Sequence, residues 1–170
     1  MSNGVMGWLV IVAVLISTIS AAQPQKNKTT SDHVGSFSQR EQDDIREAVF
    51  RYQFHHNSSI QGTKVAVYCL SVEKADDPPD GFMQRFAGLT PSVRKISECT
   101  AEPYKGVAEK STGKRGLIFR VKSIKWISQA EAEVIGGYYE DGLSASGNTY
   151  TVTKTKGRWR VFKAWMNWLS

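Results

Sequence analysis

The chain predicts an α+β domain in which one long N-terminal helix packs on a curved, mostly antiparallel sheet, with a short second helix. Three observations predict it. Residues 39–56 carry helical periodicity behind a capping signal. The later two-thirds of the chain holds runs with strand-type alternation, separated by turn pairs such as Asp141-Gly142 and Lys156-Gly157. The helix comes first and the strands follow, which is an α+β order and not an alternating α/β one.

Residues 1–22 precede the domain. Nine apolar residues in a row, Trp8 to Ile16, run into small side chains that end at Ala22. The segment reads either as a signal peptide cleaved before Gln23 or as a retained membrane anchor formed by residues 5–22. Its leader lacks Lys and Arg, and the first cations, Lys26 and Lys28, follow it. That arrangement opposes the usual positive-inside bias, so cleavage and orientation both stay open. Both readings place the remainder outside the cytoplasm, periplasmic or secreted, with a cytoplasmic domain as the alternative that the trailing cations leave open. Residues 23–37 are polar, with Pro24 and Gly35, and read as a flexible tether. Residues 38–170 are then a single domain of ordinary size.

The elements follow in order. Ser38 and Glu41 form a capping box for a helix over residues 39–56. Ile45, Ala48, Val49, Tyr52 and His56 fall on one face, while Phe50 and Phe54 pair on the other. A helix with two apolar sides needs two covers, here a sheet and either a loop or a second subunit. Residues 63–72 read as a buried strand. Asp77-Pro78-Pro79 opens a short helix carrying Phe82, Met83 and Phe86, which Gly88 ends. Residues 92–100 read as one strand, and a short strand lies near Val107. Residues 117–127 alternate, with Leu117, Phe119 and Val121 inward and Arg120 and Lys122 outward. Residues 131–139 and 148–155 continue the meander. Lys156-Gly157 as a two-residue turn sets Val152 against Val161, Thr153 against Arg160, Lys154 against Trp159 and Thr155 against Arg158. Lys154 would then lay its stem along Trp159.

Charge and cysteines bound the chemistry. Net charge is +6, and the whole basic excess lies after residue 102, where 12 Lys and Arg face 5 Asp and Glu. A basic exported surface can meet anionic lipid, cell-wall polymer or nucleic acid, or simply stay soluble. Cys69 and Cys99 read as a disulfide in an oxidising compartment, worth about 3–4 kcal/mol, with two buried thiols as the alternative. No metal-ligand spacing is present, no cofactor motif is found, and no catalytic set is assembled. His55 and His56 point about 100° apart on a helix and cannot chelate together. His56 reads as a core-edge residue. The densest candidate is Gly136 to Asp141, where Tyr138, Tyr139 and Glu140 could line a ligand pocket beside two glycines. The outward cations Arg120, Lys122, Lys125, Lys156, Arg158 and Arg160 could hold an anionic polymer. Such surfaces usually interleave aromatics, and here the tryptophans read as lying on the other face or at the chain end. A solvated face is the more economical reading, and no specific nucleic-acid partner is expected.

The stretch from Gly136 to Tyr150, with Gly157-Arg158-Trp159, the Met166 to Ser170 ending and the helical Glu47 to Tyr52 start, resembles a group of uncharacterised bacterial exported proteins. That resemblance implies no activity. A weaker one, carried by the last hairpin through Arg158 to Val161, is to the NTF2-like and cystatin-like architecture, in which a sheet curls around one helix. It implies a helix–sheet cavity, and no catalytic motif of that superfamily is matched here.

Three functions follow as expectations. The first is a non-enzymatic exported domain binding a protein or small ligand, with Phe50, Phe54, Trp165 and Trp168 as interface residues and homodimerisation as one form of it. The second is a small-molecule enzyme of NTF2-like type working through a helix–sheet cavity. The third is a binder of an anionic surface or polymer.

Overall fold

The computed structural model describes Met1 and residues 37–56 and 65–170. The expected signal or anchor segment and nearly all of the tether lie outside the described residues. No described helix is long and apolar enough to cross a membrane.

Helix α1 spans Gln39–His56. The Ser38 hydroxyl accepts from the Glu41 backbone N–H at 3.3 Å, as an N-cap should. Strand β1, Val67–Val72, is buried along its whole length. A short helix α2, Asp80–Met83, runs into one 3₁₀ turn at Gln84–Phe86. Then come β2 (Ser92–Lys95), β3 (Cys99–Glu102), β4 (Gly106–Glu109), β5 (Arg115–Ser128), β6 (Glu131–Asp141), β7 (Ser144–Thr155) and β8 (Arg158–Leu169).

These strands form one open eight-stranded sheet, in the order β2-β1-β5-β6-β7-β8, with β4 also pairing to β5 and β3 pairing to β4. From β5 to β8 every pairing is antiparallel. β1 is instead parallel to both of its neighbours, β2 and β5. The single strand expected over residues 92–100 is divided. A 3₁₀ turn at Ile96–Glu98 interrupts it, held by the Lys95 N–H donating to Glu98 and by Ser97 donating to Asp77 through both its amide and its hydroxyl. β2 therefore stays beside β1 while β3 crosses to pair with β4.

The main core lies between α1 and one face of the sheet. Ile45, Val49, Leu70, Leu117, Phe119, Val134, Tyr150 and Val152 are fully shielded there. Leu117, Phe119 and Val121 point inward as expected. A smaller cluster on the opposite face gathers Val67, Cys69, Cys99, Val107 and Ile118. There Cys69 and Cys99 are joined as a disulfide that ties β1 to β3. The bond fits an oxidising, exported compartment.

The β7–β8 hairpin has the expected register: Val152 pairs with Val161, Thr153 with Arg160, Lys154 with Trp159 and Thr155 with Arg158. Lys156 and Gly157 both adopt positive φ, 50° and 76°, as the tight primed turn requires. The Lys154 ammonium lies 5.6 Å from the Trp159 ring and also pairs with Glu41 of α1 at 3.1 Å.

Phe50 and Phe54 do not form an interface. Phe50 is wholly buried, with the Phe82 and Phe86 rings 6.1 and 6.2 Å away. Phe54 stacks on Tyr68 at 4.7 Å and meets Phe119 and Phe86. The second apolar side of α1 is thus covered by the chain's own segment 80–86. His56 is exposed rather than at the core edge, its ring stacked 3.9 Å from Tyr52.

Candidate functional site

Strand register sorts the predicted residues onto the two faces of the sheet. Paired residues on adjacent antiparallel strands point the same way. Tyr138 pairs with Phe119 and Ser146, so it looks toward α1. Tyr139 pairs with Ile118 and Ala145 and looks to the opposite, outer face. The proposed trio of Tyr138, Tyr139 and Glu140 is therefore split, because consecutive strand residues alternate.

On the inner face Glu140 is almost fully buried and accepts from Arg115 at 2.6 Å and from Ser144 at 3.1 Å. Tyr138 sits beside Ser144 at 3.5 Å, and Asn148 donates to Ser146 at 2.9 Å. Gln53, buried on α1, donates to the carbonyls of Arg120 and Gly137 and to the Tyr150 hydroxyl. A Cβ on Gly136 would collide with the Arg120 carbonyl and crowd the Gln53 amide at 3.2 Å. This polar group locks the helix to the sheet. Its carboxylate is already engaged by a guanidinium and a hydroxyl, so it offers no free base.

The outer face differs. Reading across β5, β6, β7 and β8, one row holds Arg120, Gly137, Gly147 and Trp168. The next holds Ser123, Ile135, Thr149 and Trp165, and the one after holds Lys125, Glu133, Thr151 and Lys163. Arg160 and Arg158 continue the β8 side opposite Thr153 and Thr155. Register shifts at Thr151/Val152 and Gly147/Asn148 produce this placement. A bulge resets the period-2 alternation. Trp159, before both shifts, lies inside, 7% exposed; the first shift turns Trp165 to the outer face and the second restores the original phase, which leaves Trp168 outward too, and the two are 43% and 52% exposed. Trp126 and Trp159 lie on the inner face and Trp165 and Trp168 at the chain end, as expected, but the chain end shares the outer face with the cations.

Arg120, Lys122, Arg158, Arg160 and Lys163 make no ion pair with any described carboxylate. Elsewhere the cations are largely neutralised: Arg46 by Asp43 and Glu73, Arg85 by Asp44 and Glu47, Arg94 by Glu109, Arg115 by Glu140. Lys163 instead holds its ammonium 4.5 Å from the Trp165 ring. On the outer face of β5 to β8 the acids are Glu131 and Glu133, away from Trp168, while Glu109 of β4 lies on that side beside Cys99 and is held by Arg94.

The larger clefts are open and built from paired charges. One of about 340 Å³ lies beside Arg46, Glu73 and Trp126, and one of about 290 Å³ beside Asp44, Glu47 and Arg51. Among the described residues no three His, Cys, Asp or Glu side chains gather as a metal site would need. His55 and His56 are both exposed. No protein-family model, curated protein or solved structure matches the chain.

Proposed function

We propose that this is an exported binding domain that holds an extended anionic polymer across the outer face of β5 to β8. The carrying observation is the coincidence, on one sheet face, of unpaired cations with two exposed tryptophans. Cations supply salt-dependent affinity, and exposed aromatic faces supply stacking that tolerates varied sequence or composition. The β5 cations and the β8 cations lie three strand spacings apart, roughly 14 Å. Between them run Gly137, Ile135, Glu133 and Glu131 of β6 and Gly147, Thr149, Thr151 and Thr153 of β7, so the β7 half is small or hydroxylated and hydrogen-bonding while the acids lie at the end away from Trp168. The disulfide and the apolar leader support placing this work outside the cytoplasm. A helix laid against one sheet face is also what kinship with the NTF2-like architecture would need, and that kinship, like the one to bacterial exported proteins, is part of the proposal.

The test is retention of the full chain on immobilised heparin over a salt gradient. Retention that falls steeply with salt is expected, and Arg158→Glu with Arg160→Glu should cost about tenfold or more in affinity at low salt. Salt-insensitive retention, or no effect of the double reversal, would overturn the reading. Binding to anionic vesicles but not to heparin would replace the polymer with a lipid surface.

A further inference from the structure

The geometry points to a defined oxyanion site within this face, a trough floored by Gly137 and Gly147 that seats one sulfate, phosphate or carboxylate group of the ligand. The inference rests on the polymer-binding reading and names the chemical group that reading requires. The trough runs along the row Arg120, Gly137, Gly147, Trp168, and Lys122 and Tyr139 also line it.

Its shape follows from the two glycines. They face each other across β6 and β7, so two side chains are missing from the middle of the row. The Trp168 indole fills part of that gap by folding back over Gly147. Its Nε1 stands nearest to where a Cβ would be, with Cε2 at 2.6 Å and Cδ1 at 2.9 Å. The remaining space is about 70 Å³. A space of that size suits a compact group.

The donors fit the same group. The Arg120 side chain makes no hydrogen bond or ion pair among the described residues, and its Nε is shut off from water without an acceptor. A buried donor without a partner is costly, and an oxygen bound by the other N–H groups of the same guanidinium would offset that cost. Lys122 adds a second unpaired cation. The Trp168 Nε1 lies against Gly147, at the floor of the trough. No carboxylate lines the trough. Arginine, ammonium and indole N–H donors around a floor that lets backbone come close are complementary to an oxyanion and repel a cation.

The experiment follows the Trp168 indole N–H resonance of the full chain by NMR while sodium sulfate is added at constant ionic strength against sodium chloride, with phosphate and acetate as further arms. A saturable shift with sulfate or phosphate, absent with chloride, is expected, and Arg120→Gln should weaken it about fivefold or more. Arg120→Lys serves as the conservative variant: it keeps the charge, loses the forked donors, and should fall between the two. A response to acetate alone would mark the group as a carboxylate. No saturable shift with any of the three anions, or equal titrations for wild type and both variants, would overturn the site. Heparin retention separates this inference from the one beneath it. Salt-sensitive retention with no anion titration removes the trough and leaves the polymer face. A clear anion titration with no heparin retention leaves a small-anion site and removes the polymer.

Discussion

Single residues in this fold carry different costs for the same change, and the three central glycines show why. A Cβ on Gly137 would strike the Ser146 carbonyl, and one on Gly136 the Arg120 carbonyl, so backbone must move in either case. A Cβ on Gly147 meets only the Trp168 indole, which can lift away. Gly137→Ala should therefore cost about 2–3 kcal/mol and Gly147→Ala about 1 kcal/mol, within the usual range for overpacking. Urea unfolding of the two variants checks the ranking, and Gly147→Ala should also leave Trp168 more exposed to a collisional quencher. A second residue-level prediction concerns acid. The Glu109 carboxylate accepts from the Thr112 hydroxyl at 2.5 Å and from Arg94 at 2.6 Å, which together hold its pKa below the ordinary carboxylate range. A depressed folded value means the stabilisation is fully present above the unfolded value, about 4.3, and is lost as pH falls through the lower folded one. The urea midpoint of the wild type should drop between pH 5 and pH 3, and Glu109→Gln should flatten part of that drop.

At the scale of elements, α1 and segment 80–86 behave as one unit. The helix presents Phe50 and Phe54, and α2 with its 3₁₀ turn answers with Phe82 and Phe86, while Arg85 pairs with Asp44 and Glu47 of α1. Phe50→Ala should cost about 3–5 kcal/mol, the range for deleting a buried ring. Its effect on polymer retention should be no larger than the fraction unfolded, which calorimetry and heparin retention measured on one sample decide. The loss of Phe50 as an interface residue has a plain cause. Periodicity in a sequence shows that two sides of a helix are apolar, but not which neighbour covers each. β8 reverses the case. Its alternation reads regularly through Val161; the first bulge then reverses the phase for Lys163 to Met166, and the second restores it for Trp168 and Leu169. Period-2 counting puts Trp168 on the outer face but misplaces Trp165, because an extra residue in one strand is specified by its partner's register and not by its own composition. The hairpin turn before them was legible, since Lys156-Gly157 carries its own backbone preference.

Across the whole molecule, stability and binding separate. The Cys69–Cys99 bridge spans 30 residues and joins two strands that do not pair with each other. Reduction should lower stability by about 3–4 kcal/mol on the chain-entropy account. Urea unfolding with and without dithiothreitol measures it, and a change under 1 kcal/mol would mean the reduced unfolded chain is already constrained. The outer face contributes to the core around the disulfide, but its cations and the tryptophans of β8 lie outside that cluster and are free to serve a ligand. The sequence by itself determined the α+β class, the hairpin register and the inward row of β5. It also paired tryptophans and basic residues with the C-terminal strands, because propensity, turn chemistry and alternation are local properties of the chain. Only the tertiary structure decided that β1 runs parallel to its neighbours, that segment 80–86 covers Phe50, and that Tyr138 and Tyr139 serve opposite faces of one sheet. It alone set Trp168 across Gly147 from Arg120, since that row is made by four strands whose registers fix one another, through pairs of residues 10 to 21 positions apart.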